Sequence, residues 1–132
     1  MLVVDLKADN LEPVVKELRP VLEGLGRAWE IVIVNDGSAD ETGEIANRLS
    51  RATSRIRVIH HERNRGYGVA LRSGIGASTG SLVLISAADG QYDFDETGRF
   101  LEHLTDGVDA VTGIRLDRKD AMHRCVYAWI FN

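Results

Sequence analysis

Residues 82–93, Leu-Val-Leu-Ile-Ser-Ala-Ala-Asp-Gly-Gln-Tyr-Asp, determine how the rest of the chain is interpreted. An apolar run, typical of a buried strand, ends here in a carboxylate, a glycine, an amide and a second carboxylate. Ligands of open α/β sheets bind beyond the carboxyl ends of the strands, so we expect chemistry at this point. Asp89 and Gln91 carry the hard oxygen atoms that Mg²⁺ or Mn²⁺ prefers, which makes them candidate metal ligands.

Apolar segments of strand length alternate with amphipathic segments of helix length along the whole chain. We predict strands at 1–4, 29–34, 56–60, 82–87 and 108–112. We predict helices at 10–25, from the turn at 38–41 to about 50, from the loop at 64–68 to about 79–80, at 95–104 and at about 120–131. Pro20 is expected to kink or divide the first helix. Ser38 and Glu41 are expected to form a capping box for the second. This order predicts one α/β domain over residues 1–132, a three-layer α/β/α arrangement around a mostly parallel sheet.

The composition is that of a globular domain. The chain has 132 residues, of which 44% are hydrophobic and 27% are charged, and its net charge is −4. The negative charge argues against nucleic acid as a partner. Cys125 is the single cysteine, so an internal disulfide is excluded. Without a signal-like leader or an apolar run of about 20 residues, the sequence leads us to expect a cytoplasmic location.

A polar turn follows the second predicted strand and contains Asp36, Gly37 and Ser38. A carboxylate at this position can accept hydrogen bonds from ribose hydroxyls or from a base edge. The first backbone amides of the next helix also favour an anion. The same residue types suit an ordinary turn with a helix cap. The motif alone leaves both interpretations open.

A basic, glycine-rich segment follows the third predicted strand. Glycine allows a phosphate to approach the backbone, and arginine donates paired hydrogen bonds to phosphate oxygens. The spacing is not the Gly-x-Gly-x-x-Gly of dinucleotide-binding proteins, which argues against NAD. A solvated turn at the start of a helix is the plain alternative. The residues concerned are Arg63, Asn64, Arg65, Gly66 and Gly68.

Arg115 and the four histidines give weaker indications of function. Arg115 follows the fifth predicted strand and is a candidate phosphate contact, although a surface arginine is the simpler interpretation. The four histidines show no metal-ligand spacing, and we expect structural roles for them; they are His60, His61, His103 and His123.

Four segments, taken in order, resemble the family 2 glycosyltransferases, whose nucleotide-sugar-binding fold is the Rossmann-like GT-A fold. The likeness is greatest to polyprenyl-phosphate (dolichyl-phosphate) mannosyl- and glucosyltransferases. The segments are Val-Asn-Asp-Gly-Ser (34–38), Asn-Arg-Gly-Tyr-Gly-Val-Ala-Leu-Arg-Ser-Gly (64–74), Ala-Ala-Asp-Gly-Gln-Tyr-Asp (87–93) and Thr-Gly-Ile-Arg (112–115).

The resemblance implies transfer of a sugar from a GDP- or UDP-sugar to an acceptor, a polyprenyl phosphate at a membrane surface. It implies that Asp36 contacts the nucleoside and that the loop from Arg65 to Gly68 lies near the donor. It also implies that Asp89 and Gln91 hold Mg²⁺ or Mn²⁺ on the diphosphate. A peripheral position at the inner face of the membrane, in cell-envelope glycan synthesis, would follow.

The chain departs from the family pattern in ways that leave alternatives open. Ala87 occupies the first position of the family's Asp-x-Asp motif, and the chain ends where an acceptor-binding half is expected. The protein is therefore either a shortened glycosyltransferase domain or a non-catalytic nucleotide-sugar-binding or assembly module. A sugar nucleotidyltransferase is disfavoured because the glycine-rich signature near its N-terminus is missing. Since a truncated sheet exposes strand edges, we also expect a homo-oligomer.

Overall fold

The fold is built on a parallel sheet, as expected from the alternation of apolar segments. The computed structural model describes residues 2–4, 8–87 and 93–113. Within them the strands pair in the order β3-β2-β1-β4, and each pair is parallel. The elements are β1 (Leu2–Val4), α1 (Ala8–Gly24), β2 (Ile31–Asn35), α2 (Thr42–Ala52), β3 (Ile56–His60), α3 (Tyr67–Ala77), β4 (Ile85–Ala87), a 3₁₀ helix (Phe94–Glu96) and α4 (Thr97–His103).

Strand β2 lies at the centre of the layers, and every one of its residues is buried. Its side chains alternate between the two faces of the sheet, as the pleat requires. Ile31 and Ile33 join a core formed with α1 and α2. Val32 and Val34 pack against Ala70 of α3 on the other face. The predicted three-layer α/β/α arrangement is therefore confirmed.

Helix α1 continues through both of its prolines, so the predicted division at Pro20 is wrong. Each proline removes one backbone hydrogen bond and costs about 3 kcal/mol in a helix interior. The helix nevertheless buries an apolar stripe on both sides of Pro20, which is itself exposed. This packing outweighs the local cost. The stripe consists of Leu11, Val14, Val15, Leu18 and Leu22.

The start of α2 also differs from the prediction. The helix begins at Thr42, and Glu41 at the N-cap makes no side-chain capping hydrogen bond. Ser38 instead donates its backbone N–H to Asn35 Oδ1 at 3.0 Å, which places it in the turn after β2. Asp40 takes the capping role by accepting the backbone N–H of Thr42 at 3.0 Å. The predicted capping box is therefore wrong.

Two predicted strands are shorter or missing. The fourth begins at Ile85 rather than at 82, and Leu82 and Val83 are exposed. Because β4 is an edge strand of the described sheet, its apolar run is covered less than the run of β2. Residues 108–112 form no strand, and Val108 is exposed. The predicted helix at 120–131 lies outside the described residues.

The chain divides into two compact units after Gly98. The first contains the sheet and α1 to α3. Within the second, the Phe100 ring lies against Gly113, where an added Cβ would be 2.7 Å from Cζ. No helix in the part of the chain that the structure describes is long and apolar enough to cross a bilayer.

Candidate functional site

The Asp36 carboxylate is the centre of a hydrogen-bond network at the carboxyl end of β2. Only 5% of its side chain is exposed. The backbone nitrogens of Arg65 and Gly66 donate to it at 3.1 Å and 2.8 Å. The imidazole Nδ1 of His61 lies 2.5 Å from its Oδ1. The structure thus joins two of the four segments that the sequence singled out.

These hydrogen bonds keep Asp36 ionised. Burial, the largest influence, raises the pKa of its carboxyl group. The hydrogen bonds from His61, Arg65 and Gly66 together outweigh burial and hold the pKa below its ordinary value. The negative charge also lies at the N-terminus of α3, where the helix dipole favours an anion.

The acceptor capacity of Asp36 is fully used within the chain. A carboxylate offers about four lone-pair positions, and the three protein donors make two contacts with each oxygen. Asp36 therefore positions the turn before α3. Its expected contact with a nucleoside stays a prediction.

Gly37 lets the turn after β2 pack directly on the backbone of the next loop. Its φ is +71°, a conformation that favours glycine. An added Cβ would lie 2.3 Å from the carbonyl carbon of Arg63 and 2.5 Å from the nitrogen of Asn64. Any side chain at Gly37 would push the two segments apart.

The glycine-rich loop presents arginine side chains rather than free amides. Gly66 has a φ of +88° and leads into α3, where its carbonyl accepts the N–H groups of Val69 and Ala70. The N–H groups of Arg65 and Gly66 are already donated to Asp36. The side chains of Arg63 and Arg65 are exposed. A phosphate at this loop would therefore meet the guanidinium groups, not those two amides. Gly68 is exposed in the first turn of α3.

Two consecutive histidines connect this edge of the sheet to the helices on its opposite faces. His61 Nε2 lies 2.9 Å from Ser73 Oγ in α3. His60 Nε2 lies 3.0 Å from Asn47 Oδ1 in α2, and its Nδ1 lies 3.2 Å from Asn35 Nδ2. Because the Asn35 oxygen already accepts a backbone N–H, His60 Nδ1 accepts from the Asn35 amide and Nε2 carries the proton.

The role of His61 was missed in the sequence, where all four histidines were treated alike. One signal was available. A residue just after a parallel strand lies beside the end of the neighbouring strand, so His61 was bound to meet the segment that contains Asp36. The backbone N–H of His61 indeed donates to the Asn35 carbonyl at 2.9 Å.

Asp36, His61 and Ser73 have the connectivity of a Ser-His-Asp relay. Ser73 lies inside α3, where backbone N–H groups bond to carbonyls four residues earlier. No backbone donors are left beside Ser73 for an oxyanion, which acyl transfer requires. The arrangement is suited to holding segments together.

The order of the strands identifies the edge where a ligand is expected. The chain adds β2 and β3 on one side of β1 and β4 on the other. The topological switch point therefore lies between the carboxyl ends of β1 and β4, at Val4 and Ala87, and open α/β sheets bind ligands there. Asp36 follows β2, which is the strand next to β1.

The metal prediction rests on residues that the structure does not describe. Asp89, Gln91 and Arg115 all lie outside the described residues. Asp93 is exposed, and its carboxylate accepts the Asp95 N–H at 3.0 Å, which caps the 3₁₀ helix. Within the described ranges, no group of three or more His, Cys, Asp or Glu residues is placed to hold a metal ion.

Comparison of the sequence with known proteins finds a family model and similar relatives. The family model "Glycosyl transferase family 2" matches residues 7–131. Two similar relatives are named undecaprenyl-phosphate 4-deoxy-4-formamido-L-arabinose transferase, from Salmonella paratyphi B (strain ATCC BAA-1250 / SPB7) and Salmonella newport (strain SL254). Each is 31% identical over 125 residues, a stretch that covers 94% of this chain and 38% of the relative. The chain thus spans well under half the length of these relatives.

Proposed function

Because the chain belongs to glycosyl transferase family 2, we propose that it forms the donor-binding part of an enzyme that transfers a sugar from a nucleotide-sugar to a polyprenyl phosphate. The observation that carries this proposal is the docking of the Arg65–Gly66 turn on Asp36, at the carboxyl edge of the sheet. The donor is taken to be a GDP- or UDP-sugar. The acceptor class follows the names of the similar relatives.

The exposed arginines beside Asp36 support an anionic donor. Arg63 and Arg65 extend into solvent from a turn whose backbone is held at two places. Gly37 packs against the backbone of Arg63, and Asp36 accepts the backbone N–H groups of Arg65 and Gly66. Guanidinium groups donate paired hydrogen bonds to phosphate oxygens. A fixed turn reduces the ordering cost of binding a flexible diphosphate. We assign Arg115 the same kind of contact.

Asp89 and Gln91 are the proposed ligands of Mg²⁺ or Mn²⁺. Carboxylate and amide oxygens suit either ion. When bound, the ion would neutralise charge on the leaving diphosphate. Ala87 ends β4 two residues before Asp89 and supplies no ligand, so the ion would depend on fewer protein oxygens than in the family's Asp-x-Asp motif.

The acceptor side of the reaction needs little proton transfer from the protein. A phosphate monoester is largely ionised at neutral pH, with a second pKa of about 6. The chain's main contribution is then to position the donor and to stabilise charge on the diphosphate. An isoprenoid acceptor lies in a bilayer, so we propose a peripheral position at the inner membrane surface.

A non-catalytic module of the same fold is the second candidate. Ala87 favours it, because one metal-binding carboxylate of the family motif is replaced. Such a module would bind a nucleotide-sugar, or assemble with other copies, without turnover.

Calorimetry separates the two candidates. UDP- and GDP-sugars are titrated into the 132-residue chain with and without Mn²⁺. The enzyme proposal predicts that Mn²⁺ tightens binding and that Asp89→Ala removes the gain, whereas Asp93→Ala, at an exposed cap, keeps it. A module predicts metal-independent binding, with metal dependence restored by Ala87→Asp. No binding of either nucleotide-sugar would refute the enzyme and the nucleotide-sugar-binding module alike, and would leave only a module that assembles with other copies.

A further inference from the structure

We propose that His61 is a positioning residue for the donor: its bridge between Asp36 and Ser73 fixes the Arg65–Gly66 turn in the arrangement that receives the nucleotide diphosphate. The inference rests on the proposed function and adds a residue to it. The observation is that one buried imidazole contacts both the anchor of the turn and the helix that the turn begins.

The bridge is buried, whereas the segment it holds is exposed. Only 7% of the His61 side chain is accessible, and 5% of that of Asp36. Arg63 and Arg65 extend from the held segment into solvent. A change at His61 therefore acts on the position of those guanidinium groups without removing any group that touches the donor.

His61 restricts Asp36 in a way that the backbone donors do not. The donors Arg65 and Gly66 belong to the turn itself, so they move with it. His61 directly follows β3, and it contacts Asp36 from the side of the sheet. Its second nitrogen contacts Ser73, two turns into α3. The turn is thereby fixed relative to both the sheet and α3.

The neighbouring histidine provides a matched control. His60 forms a bridge of the same kind on the other face, from Asn35 to Asn47 in α2, although His60 is more exposed than His61. The hydrogen bonds of His60 do not reach residues 63–66. The same substitution at His60 and at His61 therefore separates a general effect on stability from an effect on the donor loop.

Variants divide the bridge into its two contacts. His61→Phe removes both, whereas Ser73→Ala removes only the contact with α3. His61→Asn retains an N–H close to the position of Nδ1 and should rescue the contact with Asp36. If binding of the diphosphate must restore the order of the turn that this hydrogen bond to a buried carboxylate supplied, the cost corresponds to about tenfold weaker binding.

The test measures the dissociation constants of UDP and GDP with Mg²⁺, together with amide hydrogen exchange at Arg65 and Gly66, on the full 132-residue chain. We expect His61→Phe to weaken binding about tenfold and to speed exchange at both amides. We expect Ser73→Ala and His61→Asn to have smaller effects and His60→Phe to leave both readouts unchanged.

Three outcomes would overturn the inference. Equal losses of binding in His60→Phe and His61→Phe would show that His61 contributes to the stability of the fold and does not position the donor loop. Unchanged binding in His61→Phe, Ser73→Ala and His61→Asn would remove its role altogether, with the proposed function still standing. If the unaltered chain binds neither nucleotide, the proposed donor site fails and this role of His61 fails with it.

Discussion

The carboxylate of Asp36 accepts the backbone N–H of Gly66 at 2.8 Å, across thirty residues of sequence. This contact joins the ends of two segments that follow neighbouring strands. It places a buried negative charge at the start of α3 and fixes the turn that carries Arg65. The stability of the chain and its proposed binding site therefore depend on the same carboxylate.

Asp36→Asn should destabilise the fold strongly. The amide would retain one acceptor oxygen and direct an NH₂ group at a backbone N–H. Breaking a buried, hydrogen-bonded charge costs roughly 3 kcal/mol. Urea unfolding measures the loss in free energy. Asp95→Asn, at an exposed carboxylate, should change it by less than about 0.5 kcal/mol; similar losses in both variants would contradict the account.

The dependence of the unfolding free energy on pH in the acid range should also report Asp36. The pKa of Asp36 is lowered from 3.8 in the folded chain. Its stabilising contribution is therefore complete above that value and is lost as the pH falls through the lower folded pKa. Unfolding free energies from neutral pH to about pH 2 should fall more steeply in the unaltered chain than in Asp36→Asn.

Two other carboxylates contribute to the same slope. Hydrogen bonds led by those from Thr79 lower the pKa of Glu30, and hydrogen bonds led by those from Thr42 lower the pKa of Asp40. Glu30 and Asp40 are present in the unaltered chain and in Asp36→Asn alike. Their contributions therefore cancel when the two curves of unfolding free energy against pH are subtracted. Parallel curves would show that Asp36 has no lowered pKa in the folded state.

Gly37→Ala should be among the most damaging glycine substitutions in the chain. The new Cβ would meet backbone atoms of Arg63 and Asn64, and the positive φ would be strained. Together these effects cost about 3 kcal/mol. Gly76→Ala in α3 has open space and should stabilise the chain by up to about 1 kcal/mol. Thermal unfolding checks the prediction: the unfolding temperature should fall in Gly37→Ala and rise in Gly76→Ala.

Self-association remains a prediction from the sequence, and the exposed residues at the β4 edge give it a test. Val83 and Ile85 are exposed there, and uncovered apolar edges promote pairing between chains. Light scattering should show a mass that rises with concentration. Val83→Lys and Ile85→Lys should lower it, whereas Ile75→Lys, at an exposed position on α3, should not. A monomer mass throughout would refute the prediction.

The sequence was sufficient for the central layers because the local signals agree there. The run at β2 is apolar on both faces, and Asn35, Asp36 and Gly37 end it. Pro20 does not divide α1, because burial of the α1 stripe outweighs local propensity. The strand predicted at 108–112 is also missing, since this segment is not paired in the described structure. Strand-like composition alone does not supply a neighbouring strand.

The candidate site could be predicted only in part from the sequence, for a related reason. Glycines and arginines near position 65 indicated a phosphate loop from local chemistry. The use of two of its amides by Asp36, and the bridge through His61 to Ser73, depend on contacts between distant segments. Neither is encoded in any short motif, although the order of the strands could have suggested the meeting of His61 with Asp36.

The most direct test of the central claim is the mapping of backbone amide resonances of the 132-residue chain during titration with UDP or GDP in the presence of Mg²⁺. We expect the largest changes at residues 36–38 and 63–68, with little change at 53–55 and 78–80 beyond the opposite ends of the strands. Changes confined to those opposite ends, or no change at residues 36–38 and 63–68 at saturating nucleotide, would contradict it.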